Sequence, residues 1–118
     1  MKYPIETWIW HGIAGHLCVA NKCRFHLHTK IGPYKISTVG AWYPNEDSRR
    51  MKEIGLERDY ETFVFLNDSL SEFDSDGISL KRDAADDPYK ADELAGKMHM
   101  EFCNKYAADD VDRSGNAD

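Results

Sequence analysis

Cysteine is scarce in this chain of 118 residues: three, at positions 18, 23 and 103, which cannot all pair and show no framework spacing. A disulfide-stapled miniprotein is thereby excluded, and unpaired thiols suit a reducing cytosol. No apolar run approaches the roughly 20 residues that a membrane-spanning helix requires, so no membrane partner is expected. Four prolines and eight glycines are too few for a collagen-like repeat, and no internal repeat recurs. Residues 8–20, WIWHGIAGHLCVA behind Lys2, imitate a secretory leader, but Glu6, His11 and His16 interrupt the apolar stretch. What remains is 42% hydrophobic and 12% aromatic, enough for one self-supporting core and far from the composition of a disordered chain. A single domain over 1–107 is expected, with an acidic, disordered tail over 108–118, in the cytoplasm.

The net charge of −6 is unevenly spread. Residues 1–66 carry a net +2 and residues 67–118 a net −8. Four of the five histidines (His11, His16, His26, His28) lie in the first half. An acidic chain dilutes the clustered lysine and arginine that counterion release needs, so duplex nucleic acid is not an expected partner. The acidic half reads as a solvated end, or as a surface that covers a basic patch on another protein.

Hydrophobic patterning predicts an α+β fold: an antiparallel sheet of four to six strands with a C-terminal α-helix packed on one face. Residues 5–11, IETWIWH, read as a first strand with Trp8 and Trp10 on one face. Residues 23–31 alternate strictly, with Cys23, Phe25, Leu27, Thr29 and Ile31 on one side and Arg24, His26, His28 and Lys30 on the other. Gly32-Pro33 predicts a turn, and residues 34–39 and 60–66 predict two more strands. A short strand is expected at 78–80, launched by a polar turn at Asp76-Gly77. Asp87-Pro88 has the form of a helix start, after which Ala91, Leu94, Ala95, Met98, Phe102 and Tyr106 recur at helical spacing.

Two constellations carry chemistry. The first is the outward stripe Arg24, His26, His28, Lys30. Alternate residues on a strand stand about 6.8 Å apart on one face, near the phosphate spacing of an extended nucleotide. Arginine offers phosphate a bidentate fork and lysine a point charge. Trp8 and Trp10 would add stacking faces if their strand lies alongside. The bland reading is a solvated strand face, where an edge lysine discourages aggregation. The second is a zinc set drawn from His16, Cys18, Cys23, His99 and Cys103, which supply the ligand types of tetrahedral zinc without its usual paired spacing. Buried cysteines that merely pack are the bland alternative. Glu72-x-Asp74-x-Asp76-Gly77 mimics the start of a calcium loop but reads better as a polar turn.

The phrases GHLCVANKCRFHLHTKIG, ISTVG, YETFVF and GKMHMEFCNKYA resemble a group of short proteins encoded by tailed phages and prophages. That resemblance implies context, not chemistry: small phage proteins of this kind frequently bind host factors. The expectation is a non-catalytic accessory protein that counters host defence by sequestering a signal nucleotide or blocking a defence protein, with no cofactor. The alternative is a zinc-dependent hydrolase or nuclease built on the His/Cys set. A face with two tryptophans would serve a homo-oligomer interface as well as a pocket.

Overall fold

The structure, a computed structural model, describes residues 2–11, 23–42, 58–67, 72–79 and 88–108. Pro4 directs the chain into a 3-10 turn at Ile5–Thr7, where the Thr7 N–H and hydroxyl both donate to the Pro4 carbonyl. The strand expected over 5–11 is therefore shorter: β1 is Ile9–His11. β2 (Cys23–Ile31) and β3 (Tyr34–Trp42) form a hairpin over the two-residue loop Gly32-Pro33. Gly32 has φ +55, the sign that this loop form demands at its first position, and a side chain there would strike the Tyr3 ring. β4 (Tyr60–Leu66) and β5 (Asp74–Ile78) complete an antiparallel sheet in the order β1-β2-β3-β4-β5. The α+β class read from the sequence is the class observed.

β5 corrects the expectation of a turn at Asp76-Gly77 followed by a strand at 78–80. Asp and Gly disfavour strands, yet here each supports one. The Asp74 and Asp76 carboxylates accept from the backbone N–H groups of Ser75 and Gly77, which protects this edge strand from outside pairing. Gly77 leaves room for the Arg58 side chain, which lies where a Cβ would be.

α1 (Pro88–Ala108) crosses one face of the sheet, starting at the proline that the sequence marked; the expected cap Asp87 and the expected tail beyond Ala108 lie outside the described residues. Its buried side is Ala91, Ala95, Met98, His99, Cys103, Tyr106 and Ala107. Leu94, expected in that stripe, is 38% exposed, and His99 takes an inward position instead. Two apolar clusters result. One gathers Trp8, Ile31, Tyr34, Ile36, Val64, Cys103 and Tyr106; the other gathers Tyr60, Ile78, Ala91, Ala95 and Met98.

Between them runs a polar seam. Thr29, Thr38 and Thr62, from β2, β3 and β4, are fully buried beneath His99. Thr29 Oγ1 is 2.8 Å from His99 Nε2, Thr38 Oγ1 is 2.7 Å from Nδ1, and the Thr38 and Thr62 hydroxyls are 2.6 Å apart. Every nitrogen of the ring is thus satisfied, which a buried imidazole needs. Tyr60 closes the other end: its ring lies across Gly40, where any Cβ would collide with it, and its hydroxyl donates to Asp92. Among the described residues no helix is long and apolar enough to cross a membrane.

Candidate ligand-binding face

Strand alternation divides the predicted stripe from the tryptophans. Trp10 is the Cα partner of Thr29 and its ring centroid is 6.4 Å from that of His99, so it belongs to the side of the sheet that α1 covers. Trp8 is buried in the core on that side and donates its indole N–H to the Tyr3 carbonyl. Neither tryptophan joins His26, His28 and Lys30, which the register places on the opposite face.

Arg24 leaves the stripe as well. Its guanidinium makes a bidentate pair with Asp92 of α1, at 2.7 Å to each carboxylate oxygen, and a longer contact with the Tyr60 hydroxyl. The bonds to Asp92 raise the arginine pKa further above its already high value. Burial alone would raise the Asp92 carboxyl, but bonds from Arg24 and Tyr60 outweigh it and hold the group below its usual range. Burial, then proximity to Asp92, pushes the Tyr60 phenol upward. Arg24 is spent on tying β2 to α1.

The remaining residues of the stripe belong to a larger surface. Register aligns three rows across β2, β3 and β4: Lys30, Lys35, Phe65; then His28, Ser37, Phe63; then His26, Val39, Glu61. His11 of β1 occupies the register position opposite His28. Phe63 and Phe65 are half-buried, 6.0 Å apart between ring centroids, and nearly perpendicular at 76°. Arg58 bonds Glu61 at 3.3 Å and closes the third row with an ion pair. The phenylalanines were legible in the alternation of YETFVFL, which sends Glu61, Phe63 and Phe65 to one side, but only the register shows that they extend the rows of β2.

Two features of this face are costly. Lys30 and Lys35 are direct cross-strand partners, an opposition of like charges that destabilises a sheet. Ser37 is fully buried, and among the described residues its hydroxyl and the buried Nδ1 of His26 have no hydrogen-bond partner. Each such orphan costs about 1–3 kcal/mol.

The zinc set is divided. His16 and Cys18 lie outside the described residues. Cys23 and His26 are three positions apart on a regular strand and so face opposite sides. His99 and Cys103 both approach Thr29, whereas Cys23 lies six positions along β2 from it, on the order of 20 Å away. Burial pushes the Cys23 thiol up to about 11 and the Cys103 thiol up to about 12, away from the thiolate that binds metal. Among the described residues no three His, Cys, Asp or Glu side chains converge on one point. The calcium-like stretch is strand β5, where Asp74 accepts from the Tyr106 hydroxyl at 2.7 Å and from Lys105 at 3.0 Å.

A concavity of about 360 Å³ lies between β5 and α1, lined by Ile78, Leu94 and Met98 with Asp76, Lys97 and Glu101 at its rim. Its rim mixes charge signs and its polar groups do not converge. Compared with protein-family models, curated proteins and solved structures, the chain finds no match in any of the three.

Proposed function

We propose that this chain acts by binding, and that its ligand is a nucleotide-type anion held on the sheet face turned away from α1. The observation that carries the reading is the direct opposition of Lys30 and Lys35 on neighbouring strands. The pair sets two positive charges side by side on this face, and phosphate is the anion that lysine point charges serve well. Phe63 and Phe65 of β4, in register with these strands, supply rings for a base. With the resemblance to small phage proteins, this suits an accessory protein that sequesters a host signal nucleotide. Capture of a basic host protein through the acidic half finds less support, because Asp74 and Asp92 are committed to bonds within the fold.

Calorimetric titration with pyrophosphate and with ATP, at low and at physiological salt, tests the reading. Binding is expected to weaken about ten-fold or more in Lys30→Ala and in Lys35→Ala, the loss of one charge-assisted contact. Lys97→Ala, on the exposed side of α1, should leave it unchanged. Absence of heat with both ligands, or unaltered affinity in the Lys30→Ala/Lys35→Ala double variant, would overturn it.

A further inference from the structure

We propose that the β1 edge of the sheet pairs with the same edge of a second copy of this chain, giving a two-fold dimer with one continuous sheet. The two edges are built differently. At the β5 edge the N–H groups of Ser75 and Gly77 are already taken by the carboxylates of Asp74 and Asp76, and those charges deter a further strand. The β1 edge has no such guard: Ile9–His11 brings no lysine, carboxylate or proline. It also carries the apolar surface. Of the four large apolar side chains that stand exposed among the described residues, three lie on this strand or just ahead of it: Ile5 at 56%, Ile9 at 52% and Trp10 at 51%. Ile9 and Trp10 are successive residues of a strand and point to opposite faces of the sheet. Both are half-bare, which is what a missing neighbour strand leaves uncovered on an edge.

Charge makes a second copy the fitting occupant. The chain carries a net −6, so two copies repel one another unless they meet away from the acidic half. β1 is the strand farthest from the acidic β5. Strands lie about 4.8 Å apart, so in a dimer joined through β1 the two β5 strands stand roughly 40 Å from each other. That is several times the screening length of about 8 Å in physiological salt. The edge sets no lysine or carboxylate against its own copy. Antiparallel pairing centred on Trp10 brings the two Trp10 indoles together on the α1 side of the sheet, a favourable cross-strand pair. Trp8, 5.9 Å from Trp10 between ring centroids, is already buried in the core and backs the contact. Three half-exposed side chains and a three-residue strand fall short of the about 800 Å² that each partner buries in a standard interface, so the dimer should be a weak one. The contact uses neither Lys30 nor Lys35, and it stands apart from anion binding.

Sedimentation velocity of the whole chain, from about 1 to 500 μM, tests the proposal. The expected result is a reversible monomer–dimer equilibrium with Kd on the order of 10–100 μM and no larger species. Ile9→Glu places a carboxylate opposite Lys30 of its own sheet, which the fold accepts, and a charge on the edge, which a second copy does not. That variant and Trp10→Gln should each weaken the dimer about ten-fold or more. Leu94→Gln, at the exposed apolar side chain of α1, should leave it unchanged. Hydrogen exchange on the native protein reads the same contact without any variant: the amides of residues 9–11 should exchange more slowly at high concentration, and those of 74–78 should not. A monomer at every concentration overturns the proposal. Assembly that continues past two copies, a dimer indifferent to both edge variants, or slowed exchange at β5 in place of β1 overturns it as well.

Discussion

Lowering the pH from 7 toward 4 should destabilise this protein through His99. The ring is fully buried beneath the threonine seam. Burial first, and the charge of His28 second, lower its pKa from 6.5 to about 4. The sign follows from linkage. Between pH 6.5 and about 4 the unfolded chain binds a proton at this position and the folded chain does not, so stability falls as pH falls. Each pH unit inside the window costs up to about 1.4 kcal/mol, and the full span about 3 kcal/mol. Against a typical domain stability of about 5–15 kcal/mol, that is a substantial fraction.

The groups facing the ring are the Thr29 and Thr38 hydroxyls, the Trp10 indole and, as a charge, His28. Asp74 and Asp92 act in a lower window. Their carboxyls are held below 3.8, so their contribution is present above that value and fades only as pH drops beneath it. Urea midpoints measured at pH 7, 6, 5 and 4.5 should fall progressively in the native protein. In His99→Gln the protein starts less stable at pH 7, but its midpoint should change far less between pH 6.5 and 4.5. Parallel pH profiles for the two proteins would refute the assignment, because the slope would then belong to other groups.

Gly40→Ala should destabilise by about 1–3 kcal/mol, the usual cost of overpacking, since the new Cβ collides with the Tyr60 ring; a thermal melt reads the loss, and near-UV circular dichroism should show Tyr60 displaced. Tyr106→Phe removes one of the donors to Asp74 and should cost about 1 kcal/mol, with a smaller loss in acid strong enough to protonate Asp74, whose carboxyl is held below its usual range. Cys23 and Cys103, buried and with raised pKa values, should resist iodoacetamide at pH 8 in the folded protein and react on denaturation, as peptide mapping by mass spectrometry can verify. Lys30→Glu, which turns the like-charged pair into a complementary one, should raise thermal stability slightly while abolishing anion binding; a loss of stability would contradict the strain assigned to that pair.

Where a strand has one buried face, its pattern was readable. β2 and β4 occupy the residues that alternation predicts, and Gly32-Pro33 forms the expected turn, because in each case one local rule decides the geometry. β5 was missed for the opposite reason: DSDGI has poor strand propensity, and what makes it a strand is pairing with β4 and Asp side chains that bond their own backbone. His99 was read as a candidate ligand on a helix face; that it belongs to the core depends on three threonines spread over 33 residues of sequence and joined only by the register. Arg24 shows the same limit. Its place in an alternating stripe was correct as a matter of period, yet a long side chain with Asp92 in reach followed the charge and not the period.

The two sides of the sheet differ in how completely their polar groups are spent. On the side that α1 covers, Arg24 has Asp92, Asp74 has Tyr106 and Lys105, and both His99 nitrogens have threonines. Even the indole N–H of Trp8 finds a carbonyl. On the other face Lys30 stands directly opposite Lys35, and among the described residues the buried Ser37 hydroxyl has no partner. Solubility does not require it, since exposed lysines serve equally well when they are not opposed. Under the proposed reading it is this face, away from the helix, that holds the ligand, and the Lys30 and Lys35 substitutions are what test it.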